Sequence, residues 1–261
     1  MADKILYIDA QDGISGDMTL GALIDLGADT RKITCELEKI IPGEFGLVPN
    51  RFERNGINGI NLDVVLNDHD HAHDSHGNGP ATHPHAHRHY KDIKKMIEES
   101  GISDRAKGIA LDIFKAIAEA EAVVHDTDME NVAFHEVGAL DSIIDIVGVA
   151  IALDLLDVTD IYCSALNDGC GRIICRHGLI PVPVPAVIEM AKGIGIPIII
   201  DSGVNTEMIT PTGFGILKGT RARFEPRLGI VPEKTGYGFG KRETGRLGAV
   251  RVTLGEKYEE G

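Results

Sequence analysis

The sequence predicts an α/β or α+β sandwich, in which a mixed sheet packs against helices. Short apolar runs that favour strands alternate with longer segments whose apolar residues recur at helical spacing. Hydrophobic residues make up 43% of the 261 positions, enough for a substantial core. Glycine and proline separate the segments of the C-terminal third. We expect one domain over residues 1–261, with a flexible His-rich insert at residues 67–89.

The first segments predict a strand, a loop and a helix. "KILYID" (Lys4 to Asp9) is a buried strand, and the glycine-containing loop after it opens a helix from Asp17 that stops at Gly27. A second helix is expected over Thr30 to Ile40. "GINGINLDVVL" then predicts a strand and turn that lead into the His-rich insert.

Helices dominate the middle of the chain. "YKDIKKMIEES" is followed by a helix that Ser103 caps, and "ALDSIIDIVGVAIALDLL" is apolar nearly all round, which predicts a buried helix. Further on, "PVPVPAVIEMAKG" predicts an extended entry into a helix and "IPIII" a central strand. "TPTGFGILKG" predicts a turn that opens a helix.

Charge and composition exclude several classes of function. A formal net charge of -14 disfavours binding to nucleic acid or to an anionic membrane, since both would repel the chain. No apolar run approaches the roughly 18 residues that a membrane span needs. The N-terminus carries no secretory signal pattern and the four cysteines form no CxxC pair. We expect a cytoplasmic protein without a disulfide framework.

The His-rich insert predicts metal binding, since imidazole is a good ligand for nickel, copper and zinc. Alternating histidines in a loop with aspartates can wrap a cation without a preformed cage. Such a tract suits the collection or delivery of metal. It does not suit catalysis, because catalytic residues must be held in a fixed geometry and a flexible loop does not provide one. The alternative is a solvated linker enriched in histidine by drift. The predicted ligands are His69, His71, His73, His76, His83, His85, His87 and His89.

A second constellation lies in "FHEVGALDSIIDIVG". Asp141 and Asp145 are four residues apart and share one helix face, and His135 and Glu136 precede them. Two carboxylates on an apolar helix are costly unless they are paired or bind a cation. We therefore predict that these four residues are catalytic. Helix capping by Asp141 and a buried ion pair at Asp145 remain the alternatives. The zinc-protease pattern HExxH is absent, because Ala139 stands where its second histidine belongs.

Two glycine-containing loops predict anion binding. "DAQDGISGDM" follows a predicted strand, where ligands of α/β sheets bind, and "TPTG" opens a helix whose amides can hold a phosphate. The phosphate-loop pattern GxxxxGK fails at Gly240 and Lys241, because Thr235 replaces its first glycine. Arg172, Arg176 and His177 would add positive charge. The predicted binding residues are Asp9, Gly13, Ser15, Gly16, Asp17, His177, Thr210, Thr212 and Gly213.

These motifs together resemble a known family. "YIDAQDGISGDMTLGALIDLG", "FHEVGALDSIIDIVGVAIALDLL", "RHGLIPVPVPA" and "TPTG", in this order and with a His-rich insert, resemble the nickel-insertion proteins of nickel-pincer cofactor biosynthesis, LarC. The resemblance covers nearly the whole chain, from about Ile5 to the "KTGYGFGKRETGRLGAVRVTLGE" end. It implies CTP-dependent insertion of nickel into pyridinium bis-thiocarboxylate mononucleotide, with manganese or magnesium accompanying CTP. The product serves lactate racemase and related enzymes.

The resemblance also implies partners. Family members usually continue into a C-terminal domain that binds metal and CTP, so that domain is either a separate polypeptide or lies beyond a truncated sequence. The implied partners are the precursor, that domain and a lactate racemase apoenzyme. The resemblance is also compatible with an oligomer of this chain. Because a proton must leave the ring carbon, Glu136 or His135 is the expected base. Two other hypotheses remain open: a non-catalytic nickel store, and a metal-dependent phosphohydrolase built on Asp9, Asp17, Asp141 and Asp145.

Overall fold

A computed structural model describes residues 4–66, 88–134, 140–175 and 178–258. Its helices are α1 (Gly16–Leu26), α2 (Thr30–Leu37), α3 (Tyr90–Glu98), α4 (Asp104–His125), α5 (Leu140–Leu155), α6 (Pro185–Ala191) and α7 (Pro211–Gly219). Its strands are β1 (Lys4–Asp9), β2 (Phe45–Arg54), β3 (Ile57–Leu66), β4 (Arg88–His89), β5 (Ala133–Phe134), β6 (Asp160–Cys163), β7 (Leu166–Asp168), β8 (Arg172–Cys175), β9 (Gly178–Pro181), β10 (Ile198–Ile200), β11 (Arg223–Phe224), β12 (Gly229–Phe239) and β13 (Ala249–Tyr258).

A mixed seven-stranded sheet organises the molecule. Its strand order is β11-β6-β1-β13-β12-β3-β2. Strand β13 is antiparallel to β1 and to β12, whereas β1 and β6 are parallel. Strand β12 meets β3 through one parallel bridge, between Gly238 and Ile60. The predicted fold class, a mixed sheet with packed helices, is confirmed.

Helix α1 packs on one face of this sheet. In β13, Val250 and Val252 are buried while Arg251 between them is exposed, the alternation expected of a sheet covered on one side. The helix comes very close to β12. A Cβ added at Gly238 would lie 1.8 Å from the Met18 carbonyl oxygen, so only glycine permits this approach.

Helices α1 and α5 lie side by side with their N-termini at the same end. A Cβ at Gly16 would meet Asp145, and one turn further along a Cβ at Gly148 would lie 2.6 Å from Leu20. Both residue numbers rise together along the contact, so the two helices are parallel. Helix α5 is buried nearly all round, as its apolar sequence predicts.

Most of the predicted elements are present, with two corrections. Helix α1 begins at Gly16 and ends before Gly27, whose φ of 126° requires glycine. Helix α2 stops at Leu37, before the expected Ile40. The prediction of a central strand at "IPIII" is wrong: among the described strands β10 pairs with β7 alone, and Ile199 is 54% exposed. Among the described residues, no helix is long and apolar enough to cross a membrane.

Candidate functional site

The N-termini of α1, α5 and α7 meet around one cleft. A parallel bridge joins Ile14, ahead of α1, to Ile209, ahead of α7. The Ile14 amide donates to the Met208 carbonyl at 2.9 Å, and the Thr210 amide donates to the Ile14 carbonyl at 3.0 Å. These backbone bonds place the two predicted anion-binding loops next to each other, although they are far apart in the sequence.

The cleft consists of two adjoining cavities. The first cavity, of about 370 Å³, reaches Asp141, Ser142 and Asp145 on α5 and Leu62 and Val64 on β3. The second cavity, of about 210 Å³, reaches Met18, Met208, Gly240 and Thr244. Both cavities share the following lining residues: Ser15, Asp17, Glu207, Thr210, Lys241 and Arg242.

Three carboxylates, Asp17, Asp141 and Asp145, form what we call the acidic wall of the cleft. Asp145 lines the first cavity, yet its Oδ1 is shielded from solvent and has no hydrogen-bond partner in the part of the chain that the structure describes. Burial raises the pKa of Asp145 well above its ordinary value, and the charges of Asp17 and Asp141 raise it further against a smaller opposing effect of Lys241. The buried ion pair considered for Asp145 is not found among the described residues.

The other two members of the acidic wall bond locally. Ser15 caps α1 and its Oγ donates to Asp17 Oδ1, which also accepts from the Met18 amide at 2.9 Å. Asp141 Oδ1 accepts from the Ser142 amide at 2.8 Å, and Asp141 lies inside the first turn of α5, where a negative charge is favourable, and is not its N-cap. These bonds fix where the carboxylates stand at the two helix N-termini.

Lys241 and Arg242 follow β12 after Gly240 and form what we call the basic wall of the same cleft. Lys241 Nζ lies 2.8 Å from Asp63 Oδ1, and Arg242 pairs with Glu207. Burial lowers the pKa of Lys241, but the hydrogen bond and charge of Asp63, with Asp17 and Asp145 beyond it, leave that pKa raised overall. Sequence reasoning passed over both residues because the phosphate-loop pattern fails at Gly240 and Lys241. Their signal was two adjacent cations after a glycine-rich strand in an acidic chain.

Two threonines link α7 to α1. Thr210 caps α7, since its Oγ1 accepts from the Gly213 amide at 3.1 Å, and it lies 2.8 Å from Thr212 Oγ1. Thr212 Oγ1 in turn accepts from the Gly16 amide at 3.3 Å. The predicted binding residues Ser15, Gly16, Asp17, Thr210 and Thr212 all line the cleft.

The glycines of these loops serve chain packing. A Cβ at Gly13 would lie 2.5 Å from the Met208 carbonyl oxygen, and one at Gly213 would lie 2.3 Å from the Ile14 carbonyl oxygen. A Cβ at Gly16 would lie 2.8 Å from Asp145 Cβ. Because these three glycines have no side chain, the segments that form the cleft walls can pack closely against one another.

Gly16→Ala is therefore expected to destabilise the protein by about 1–3 kcal/mol, the usual cost of overpacking, because its methyl group displaces Asp145. Denaturant unfolding measures this change. Gly108→Ala on α4 is the matched control: no atom lies within 4 Å of its added Cβ, so helix propensity should make it stabilising. Equal effects of the two variants would contradict the packing argument.

Asp168, a buried carboxylate that the sequence analysis does not single out, holds the segment before α7 in place. Asp168 is fully buried, and its Oδ1 accepts from the amides of Met208 at 2.7 Å, Gly169 at 2.9 Å and Ile209 at 3.3 Å. Burial raises the pKa of Asp168, and these three hydrogen bonds oppose the rise. No motif marks this residue in the sequence.

Some predicted residues lie away from the cleft. Asp9 does not line it, and its carboxylate pairs with Arg251 of β13. This leaves the four-carboxylate phosphohydrolase hypothesis without one member of its proposed site. Arg172 lies on the exposed strand β8. His89 precedes α3; its amide donates to Asp92 Oδ2 and its Nδ1 lies 3.3 Å from the Asn131 carbonyl oxygen.

Other predicted residues lie outside the described part of the chain. They are His135, Glu136, Arg176, His177, His69, His71, His73, His76, His83, His85 and His87. Within residues 4–66, 88–134, 140–175 and 178–258, no group of three or more His, Cys, Asp or Glu side chains is arranged to hold a metal ion.

The sequence profile of the family described as "Nickel insertion protein" matches residues 6–261. The chain belongs to the nickel insertion protein family. The resemblance seen in the sequence motifs is thereby confirmed. No solved structure matches the chain.

Three similar proteins are named pyridinium-3,5-bisthiocarboxylic acid mononucleotide nickel insertion protein. The one from Acetivibrio thermocellus is 46% identical over 257 residues, 98% of this chain. That from Lactiplantibacillus plantarum is 46% identical over 97% of this chain, and that from Clostridium kluyveri is 45% identical over 97%. The matched region is 61% of the first protein and 62% of each of the other two. This nickel insertion family chain thus spans less than two thirds of their length.

Proposed function

We propose that this chain holds nickel and the pyridinium bis-thiocarboxylate mononucleotide precursor together during nickel insertion. The observation that carries the proposal is the meeting of an acidic and a basic wall in one cleft, whose acidic wall is built from two of the motifs that resemble the family. Nickel is a dication, and the precursor combines a cationic ring with thiocarboxylates and a phosphate. A cleft with both signs of charge suits that pair of substrates.

The acidic wall suits transient nickel, because its carboxylates attract a dication although no ready-made metal site is found among the described residues. Carboxylate oxygens are hard donors, and softer sulfur ligands hold nickel better, so the metal can pass from the wall to the precursor's thiocarboxylates. The wall also lies at the N-termini of α1 and α5. Asp17 and Asp141 are fixed there by the first-turn amides, which keeps their carboxylates toward the cleft.

Asp145 supplies a proton acceptor in this proposal. When the nickel–carbon bond forms, the ring C–H bond breaks, its electron pair goes to nickel and its proton goes to the Asp145 carboxylate. A nearby nickel dication ionises Asp145 by offsetting the charges of Asp17 and Asp141, and burial then favours its protonated form. Asp145 thereby joins Glu136 and His135 as a base in the proposal.

The histidine tract follows directly on a strand that lines the cleft. Strand β3 contributes Leu62 and Val64 to the first cavity and ends at Leu66, just before the tract. At the other end of the tract, His89 pairs with Ala133 of β5, and Asp141 follows that strand by seven residues in the sequence. This connection supports delivery of nickel from the tract's imidazoles to the acidic wall.

The proposal includes further components. CTP, with manganese or magnesium, acts through a nucleotide-binding domain or subunit, and the finished cofactor passes to lactate racemase or a related apoenzyme. To test the insertion itself, we would mix this chain with nickel and precursor and record ultraviolet–visible spectra. CTP and the C-terminal part of the Acetivibrio thermocellus protein would each be added or omitted. New charge-transfer bands that require CTP and both protein parts support the proposal. Nickel binding without bands in any combination refutes it and favours a nickel store.

Deleting residues 68–87 is expected to lower the number of nickel ions bound per chain and to leave insertion intact at saturating nickel. The deletion stops before Arg88 because β4 pairs with β5 and His89 precedes α3. Metal analysis after dialysis and the spectral assay measure the two quantities. Loss of insertion even at high nickel would show that the tract does more than collect metal.

A further inference from the structure

We propose that Lys241 and Arg242 form a phosphate subsite in the second cavity, which binds the phosphate ester of a nucleotide. The inference deepens the proposed function and rests on it for the identity of the nucleotide. It concerns the end of the cleft away from Asp141 and Asp145. Its two basic residues are not among those that the sequence motifs singled out, although Ser15, Asp17 and Thr210 beside them are.

The position of the two side chains carries the argument. Lys241 and Arg242 line both cavities, and they are the only lysine and arginine among the described residues that do so. Thr210 faces them at the N-terminus of α7. The first turn of α7 contains no acidic residue, whereas Asp17 and Asp141 occupy the first turns of α1 and α5. Of these three helix N-termini, only that of α7 has no first-turn carboxylate to offset its partial positive charge, and it lies beside Lys241 and Arg242.

The cleft is polarised along its length. Asp17, Glu207, Lys241 and Arg242 line both cavities, whereas Asp141 and Asp145 line the first only, so the first cavity carries two more carboxylates than the second. A ligand with a cationic ring and a phosphate is therefore favoured with its ring beside Asp141 and Asp145 and its phosphate in the second cavity, beside Lys241 and Arg242.

Lys241 can exchange its present partner for a phosphate, and Arg242 can keep the buried Glu207 and bind a phosphate as well, because a guanidinium has five N–H donors. The Lys241 side chain is 53% exposed and that of Asp63 is 44% exposed, so their ion pair is of the weak surface kind. Arg242 is 54% exposed and pairs with Glu207. A phosphate dianion attracts both cations more strongly than one carboxylate does, and it can bond the guanidinium through two oxygens.

Two nucleotides carry this chemistry, the mononucleotide precursor and CTP. Isothermal titration without nickel distinguishes them. The probes are pyridinium-3-carboxylic acid mononucleotide, the same nucleoside without phosphate, and CTP. We expect the mononucleotide to bind and the nucleoside to bind at least about tenfold more weakly, since charge-assisted hydrogen bonds are lost. Binding of CTP instead, with the same dependence on Lys241 and Arg242, would assign the subsite to CTP.

Two kinds of variant should change the mononucleotide Kd in opposite directions. The double variant Lys241→Met, Arg242→Met should raise the mononucleotide Kd at least about tenfold. Asp63→Asn releases Lys241 and should lower that Kd severalfold. Lys115→Met with Arg31→Met removes the same charges from exposed positions outside both cavities and should change the Kd little, as a distant charge is screened by salt. A merely structural role of the basic wall would not make Asp63→Asn bind more tightly.

The outcomes separate this subsite from the proposed function. If the double variant binds the mononucleotide and CTP as the native protein does, the subsite is refuted, even where the spectral assay shows nickel insertion. If mononucleotide binding depends on Lys241 and Arg242 but no nickel bands form, the subsite stands and the insertion proposal falls. Weak binding of every probe to the native protein also refutes the subsite.

Discussion

Asp145→Asn is expected to abolish nickel insertion while making the protein more stable at neutral pH. Loss of a positioned base typically costs about 10²–10⁴-fold in rate, and asparagine cannot accept the ring proton. The same change removes an ionisable group whose charged form is penalised by burial and by Asp17 and Asp141. Removing such a strained functional group commonly stabilises a protein by about 0.5–2 kcal/mol.

The stability gain should depend on pH with a definite sign. The pKa of Asp145 is raised in the folded protein, so between its ordinary pKa and the raised one the folded state holds a proton that the unfolded state has lost. Native stability therefore falls as pH rises through that window. Asp145→Asn has no such fall, so its advantage is small near the ordinary pKa and grows toward neutral pH. Thermal unfolding of both proteins across that pH range measures it.

The control is Asp157→Asn, which removes the same charge from an exposed side chain. Its φ of 54° lies in the left-handed region, which asparagine tolerates well. It should leave insertion unchanged and show no advantage that grows with pH. Full insertion activity of Asp145→Asn would remove Asp145 from the mechanism, whatever its stability.

The sequence contains enough information to predict the acidic half of the site. Strand β1, the Ser15 cap of α1 and the apolar helix α5 are all local features, and the resemblance placed their motifs in one family. What brings Asp17 to Asp145 is the parallel contact of α1 and α5, which depends on Gly16 and Gly148 packing against another helix. A glycine's partner is not readable from its own segment, so the loops suggested ligand binding instead.

The basic half could not be predicted for a different reason. Lys241 and Arg242 match no motif, and they reach the cleft only because β12 is paired in the sheet beside α1. The position of β10 was predicted wrongly because an apolar run looks the same in a central strand of a large sheet and in a strand of an exposed two-stranded sheet. The position of Asp9 at a strand end predicts a ligand contact, but its ion-pair partner Arg251 lies more than two hundred residues away, where no local pattern shows it.

Asp168→Ala is expected to destabilise the protein by about 3–5 kcal/mol, because it leaves three buried amides without an acceptor. The carboxylate holds the amides of Gly169, Met208 and Ile209. Two of them belong to the segment that carries Glu207 and Thr210 into the cleft, and the Met208 carbonyl accepts from the loop before α1. Loosening this segment disturbs both walls at once.

Asp168→Asn tests whether the acceptor oxygen or the negative charge of Asp168 holds this segment. Asparagine keeps an oxygen where Oδ1 accepts the three amides, and its amino group replaces Oδ2, which has no hydrogen-bond partner among the described residues. Burial already raises the pKa of Asp168, so a neutral side chain suits the site. We expect denaturant unfolding to show a much smaller loss than for alanine, and titration to show nucleotide binding near the native Kd. Equal losses for both variants would mean that the negative charge, rather than the shared acceptor oxygen, holds the segment. In that case Arg242, whose charge acts on Asp168 from the basic wall, would be the partner that fixes it.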